Sequence, residues 1–296
     1  MRKLVLNSTV IAAVVITFFG CDFVQNANPP LEPTTTTTGG GTIIYRKAFV
    51  EDYTGHKCGN CPAAADELTN LETQYSGKIV PLAIHAGFFA TVNSSYPTDF
   101  RNTVGNAYDT QFGISTAGNP NGLVNRVGFG TGGFIKAYSS WGGEISQIVS
   151  QAAKFQIKIK NVFNTATNSL NTDITVKSLT TNGGTYKLVV LLTEDSVIAE
   201  QLDYRIVVPP APSQKVSNYQ FNHLLRGAIN SDWGDAVFTT PAALNDSVVK
   251  SYTNFALNSS YNAAKCHVVA YIYDADLSTS NTTAYEVLQV EEEKVK

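Results

Sequence analysis

Cysteine is scarce in this 296-residue chain, and the four present are Cys21, Cys58, Cys61 and Cys266. Zinc prefers four ligands, yet neither Cys21 nor Cys266 has a second thiol nearby in sequence. His56 and His85 add no trustworthy zinc spacing, so no metal is expected. Charge is sparse as well: charged residues make up 15%, with 21 basic against 24 acidic. There is no basic stripe and no basic patch interleaved with aromatics, which argues against nucleic acid as a partner. No Ser-His-Asp arrangement, phosphate loop or glycosidase-like carboxylate pair can be built from the spacing. No cofactor is implied.

Against this background one stretch organises the chain: Cys58-Gly59-Asn60-Cys61-Pro62. It follows a strand-like run and heads a helix-like one. Amides and partial positive charge at a helix N-terminus stabilise a thiolate, so Cys58 is expected to ionise easily. Cys61 lies one turn further in, placed to close a disulfide or release a trapped partner. Pro62 suits a first turn, where its missing N–H has no intrahelical partner anyway. Half of a zinc site and an inert structural disulfide are the other readings, although so small a loop would constrain the unfolded chain little. The redox reading is preferred, with Cys58 as the exposed nucleophile and Cys61 as the buried resolving thiol.

The length suits two domains. Residues 1–20 read as an export signal: Arg2 and Lys3 give the positive start, and Val10–Phe19 an apolar core too short for a comfortable spanning helix. Phe18-Phe19-Gly20-Cys21 resembles a bacterial lipoprotein cleavage box, which makes Cys21 the expected lipidated residue and the membrane a partner. An ordinary signal peptide with an incidental cysteine is the plainer alternative. Residues 21–42, rich in Thr, Pro and Gly, read as a tether that buries no core.

From 43 to 154 the pattern alternates strand and helix: a strand over Thr42–Asp52, a helix from Cys61, a strand over Lys78–Ile84. A helix after Pro97 repeats Phe100, Val104, Tyr108 and Phe112 at every fourth position; a strand over Leu123–Val127 and a helix over Ser140–Ala153 follow. That order implies an α/β domain. From 155 to 296 period-two alternation takes over, with about seven strands expected, including Phe155–Ile159, Tyr186–Thr193, Tyr204–Val208 and Cys266–Tyr273. An antiparallel immunoglobulin-like β-sandwich is the expected fold there. Cys266 alternates with apolar neighbours, so a buried unpaired thiol is expected. His223, Arg226, Trp233 and Asp235 suit either a binding surface or packing between the domains.

Glu51 through Pro62 resembles the active-site segment of the thioredoxin superfamily, although Lys57 stands where thioredoxins commonly carry tryptophan. Gly118-Asn119-Pro120-Asn121-Gly122 resembles the segment carrying their cis-proline, with a helical insert before it. Together with Cys21, the tether and Asn222-His223-Leu224-Leu225-Arg226, these motifs look like the twenty-eight-kilodalton outer-membrane antigen family of Gram-negative lipoproteins. The resemblance implies that Asp52, six positions before Cys58, is a buried acid relaying a proton to Cys61; a strand-end carboxylate facing water is the alternative. It implies a cis bond at Asn119–Pro120 whose backbone pairs with an extended substrate, where the residues alone equally suit a plain turn. Asn119, His56 and His85 are candidates to lie near the sulfurs, although exposed or merely packed histidines are the more ordinary expectation.

Two functions follow. One is a lipid-anchored envelope thiol–disulfide oxidoreductase acting on protein thiols and disulfides. The other is a surface-exposed outer-membrane binding lipoprotein or adhesin, meeting a surface or host ligand, with the redox fold kept as scaffold.

Overall fold

The computed structural model describes residues 43–206, 214–238 and 241–296. The expected signal peptide, the lipidation site at Cys21 and the tether lie outside the described residues. The first half runs β1 (Ala48–Thr54), α1 (Cys61–Gln74), β2 (Ile79–His85), α2 (Thr103–Phe112), α3 (Ile114–Ala117), β3 (Asn121–Val124), β4 (Lys136–Ala137) and α4 (Trp141–Val149). The second half contributes β5 (Phe155–Asn164), β6 (Ser169–Ser178), β7 (Tyr186–Glu194), β8 (Val197–Leu202) and β9 (Lys215–Phe221). It ends with β10 (Leu224–Ala228), β11 (Asp235–Ala236), β12 (Ser247–Ala256), β13 (Cys266–Asp274) and β14 (Val287–Lys294). The fold is mostly β with few helices.

One nine-stranded sheet runs through both halves in the order β14-β13-β7-β10-β2-β1-β3-β4, with β11 beside β7. The junction is the short parallel pairing of β10 with β2, Leu224 opposite Ala83. The expected boundary at 154/155 therefore separates two lengths of chain that share a sheet. Side chains alternate across it, as strand geometry requires. On one face Phe49, Tyr53, Leu82, Val189, Leu191 and Tyr271 join α2 residues Val104, Tyr108 and Phe112 in a single core that spans both halves. On the other face Ala48 and Val50 pack beneath α1 and α4. Further along that same face Leu188, Val190, Val268 and Ile272 meet a second sheet, β12-β6-β5. Strands β7 and β13 are thus apolar on both faces because both faces are covered.

Local signals explain the elements. Helix α2 starts where the Asn102 side chain accepts from the Gly105 amide and stops at Gly113, which has φ 68°. The four residues at every fourth position that marked it, Phe100 to Phe112, are all buried. After β3 the chain turns through Asn125 and Arg126, both in left-handed backbone conformation. The Asn125 amide then accepts from the Phe49 N–H and donates to the Val287 carbonyl, tying β1 to β14. Arg126 is fully buried and forms a two-point ion pair with Glu51, at 2.7 and 2.8 Å, with Tyr271 as a further acceptor.

One strand expectation fails. Of the strand expected over Tyr204–Val208, only residues 204–206 are described and they are not in a strand; β8 at Val197–Leu202 precedes them and pairs with β9 as a separate two-stranded sheet. Tyr204 and Arg205 lie instead in a turn, where Arg205 caps Asp203 and reaches Asp66 on α1.

Candidate functional site

Strand β1 delivers the chain to Cys58, and α1 begins three residues later at Cys61 with Pro62 in its first turn. Cys58 and Cys61 form a disulfide, with Cα atoms 5.4 Å apart. Both residues are only 2% exposed. The expectation of an exposed Cys58 beside a buried Cys61 is corrected: both are buried.

The cover comes from the second half. The Gln201 side chain donates to the Cys58 carbonyl at 3.0 Å, the Leu202 amide to the His56 carbonyl at 2.8 Å, and the Tyr204 amide to the Gly59 carbonyl at 2.9 Å. The Tyr204 ring lies directly on Gly59; a Cβ there would sit 2.5 Å from ring carbons. A side chain at this position would have to push the Tyr204 ring aside. The β8–β9 hairpin therefore lies along the two-cysteine loop, and Gln201 and Tyr204 belong to the site although nothing in their local sequence marks them. Contact between residues 143 positions apart leaves no local signal.

Asp52 shares a cavity with Cys61, on the face of β1 that packs toward α1. It is 3% exposed, and its Oδ1 has no hydrogen-bond partner. Burial pushes its carboxyl up from 3.8 to about 7. The water-facing alternative is excluded. Beside it on β2 stands His85, opposite Thr54 in the strand register and 2% exposed, with neither ring nitrogen hydrogen-bonded. Burial first, and then the charges of His56 and Arg226, lower it to about 3, which keeps the imidazole neutral. Phe100 and Phe221 meet its ring edge-on at 5.0 and 5.4 Å. Asp52, His85 and Cys61 line one cavity of about 330 Å3 together with Gln201, Tyr219 and Phe221.

The other candidates divide. His56 is buried, stacks on Tyr96 at 5.5 Å and meets the Thr91 carbonyl at 3.1 Å, so it packs beside the loop. The Asn119–Pro120 bond is cis, and the Asn119 amide has no partner for its buried oxygen and nitrogen. Pro120 leads directly into β3, whose Asn121 pairs with Tyr53 of β1. Cys266 is free and buried, and burial pushes its thiol up to about 12. His223, Arg226, Trp233 and Asp235 pack inward: His223 reaches Glu72 on α1 at 3.1 Å, Arg226 pairs with Glu194, Trp233 joins the shared core, and Asp235 accepts from Tyr252. Among the described residues no group of three or more His, Cys, Asp or Glu is arranged to hold a metal ion. No described helix is long and apolar enough to cross a membrane.

Fold and site together define a mostly-β protein in which a helix-start disulfide is buried under a hairpin from its own second half. The chain belongs to the outer membrane protein Omp28 family, whose model matches residues 105–296. That membership marks it as an outer-membrane or cell-envelope protein. The matched stretch starts after the two cysteines. Among solved structures the chain is similar to HBP35 of Porphyromonas gingivalis, with TM-score 0.63 and 18% identity over 86% of this chain and 77% of that one. It is also similar to a protein from Agrobacterium tumefaciens, with TM-score 0.50 and 14% identity over 86% and 96% of the two chains. At such identities the likeness is one of fold. A search of curated proteins finds no match.

Proposed function

We propose that this is a lipid-anchored envelope protein whose thioredoxin-like first half carries out thiol–disulfide exchange at Cys58 and Cys61. The observation that carries the reading is the unpartnered, fully buried Asp52 in the same cavity as Cys61. An isolated buried carboxyl costs stability, and groups perturbed in this way cluster at functional sites. With a pKa near 7 it takes up and gives back a proton at neutral pH. The parallel pairing of β1 with β2 around α1, with the cysteines at the α1 start, supports the thioredoxin-like assignment. Pro120, entering β3 beside β1, belongs to the same end of the sheet. Cys21 would carry the lipid.

The test replaces each cysteine singly with serine and isolates both variants from the cell envelope under acid quench. Intact-mass analysis is expected to find at least one variant carrying a disulfide-linked thiol, and an acylated Cys21 at the N-terminus. Two unadorned variants would refute the exchange reading, and an unmodified N-terminus beyond Cys21 the anchor.

One observation favours a second reading. Both sulfurs are buried and Cys58 is sealed by hydrogen bonds from β8, as expected if the first half is a scaffold for a surface-exposed binding lipoprotein.

A further inference from the structure

The two sulfurs differ in what lies against them. On the Cys58 side the hairpin closes the loop through Gln201, Leu202 and Tyr204. On the other side the cavity is lined by Cys61 but not by Cys58. At about 330 Å3 it has room for on the order of ten water-sized molecules, at ~30 Å3 each. An extended peptide would have to displace the hairpin; a small molecule would not. The groups in this space without a hydrogen-bond partner among the described residues are Asp52 Oδ1 and both His85 ring nitrogens, one of which donates and the other accepts in the neutral imidazole. Among the described residues no Lys or Arg lines the cavity; of its other ionisable groups, Asp66 and His223 are paired with Arg205 and Glu72, and burial raises Tyr219 to about 12.

We propose that the cavity is the entry site for a small neutral thiol, which attacks the disulfide at Cys61 and expels Cys58. This rests on the exchange reading above and reverses the polarity that the sequence suggests. The chemistry favours that polarity. In exchange, the thiol of lower pKa leaves faster, and Cys58, at the start of α1, is the one whose thiolate the helix amides stabilise. The entering thiol gives its proton to the Asp52 carboxylate. Its sulfur then bonds to Cys61 Sγ while the Cys58–Cys61 bond breaks, leaving its electron pair on Cys58. A second small thiol passes its proton to the Cys58 thiolate and attacks the sulfur of the bound one, releasing the small disulfide and leaving the Cys61 thiolate, which recovers a proton from Asp52. Two small thiols are oxidised to one disulfide, and the protein disulfide is reduced to two thiols. An anionic thiol is disfavoured, because the cavity meets its charge with the Asp52 carboxyl while the histidine there whose protonated form is favoured, His223, is already paired with Glu72.

The probe is 2-mercaptoethanol, applied briefly to the oxidised full-length protein, then acid quench, alkylation and peptide mapping. The expected result is mercaptoethanol on Cys61 and the alkyl label on Cys58, in at least roughly tenfold excess over the reverse pattern. Ala65→Trp, or Thr69→Trp should the first misfold, fills the cavity from α1 and is expected to slow mercaptoethanol at least about tenfold. The same variants should leave the circular dichroism spectrum unchanged. Asp52→Asn should remove the inflection near pH 7 from the rate profile. Mercaptoethanol on Cys58, or folded rim variants that react as fast as wild type, overturns the cavity route while the exchange reading stands. Resistance of the folded wild type to mercaptoethanol, dithiothreitol and a phosphine alike sinks both.

Discussion

Asp52 carries the sharpest consequence at the scale of single residues. Its carboxyl is raised in the folded protein from 3.8 to about 7, so between those values the folded state holds a proton the unfolded state has lost. Stability from this group therefore falls as pH rises from about 4 to 7. The gap corresponds to roughly 4 kcal/mol as an order of magnitude, at about 1.4 kcal/mol per pH unit. Asp52→Asn is expected to stabilise the protein by a few kcal/mol at pH 8 and by little at pH 4, read by urea unfolding at both. A gain equal at the two pH values would contradict the buried, ionising carboxyl. Arg126 gives the opposite case. Removing its side chain in Arg126→Leu strands a buried Glu51, and the expected cost is about 3–5 kcal/mol. Only part of this was legible in the chain. Asp52 stands out by its spacing from Cys58, but the Glu51–Arg126 pair joins residues 75 apart in sequence and has no local mark.

Among elements, the β8–β9 hairpin decides what reaches Cys58. In a Cys61→Ser background, Gln201→Ala with Tyr204→Ala is expected to speed alkylation of Cys58 by at least about tenfold, because it removes what lies on the loop and lowers the cost of local opening. No change in rate would mean that the cover lies elsewhere. A second contact pins α1 to the sheet. Burial alone would lower His223, but the Glu72 hydrogen bond and the Glu72 and Asp195 carboxylates outweigh it and raise it above 6.5. A raised histidine stabilises below its unfolded pKa and loses that contribution as pH rises through the folded value. His223→Gln should therefore lower the melting temperature more at pH 5.5 than at pH 8.5. Helix α2 and strands β5, β7 and β13 were legible because their periodicity is clean. The hairpin was not. Val197–Leu202 mixes buried and exposed positions in a two-stranded sheet, and the Asp203–Arg205 turn ends it before the apolar run that marked a strand in the sequence.

Taken whole, the molecule is built on one nine-stranded sheet covered on both faces, and the two halves of the chain meet where β10 joins β2. Alternation in sequence tells which faces of a strand are buried and is silent about which distant strand lies beside it, so the continuity of the sheet was not legible. The shared core also explains why second-half residues seal a first-half disulfide. On the proposed function this disulfide exchanges while the protein stays folded. The most direct measurement of that exchange is the equilibrium between the Cys58–Cys61 disulfide and dithiol forms in graded dithiothreitol buffers, quantified by mass-tagged alkylation while circular dichroism follows the fold. The account predicts a smooth, reversible titration of the pair with the folded signal intact. A disulfide that yields only when the folded signal is lost would contradict it and leave the first half as scaffold.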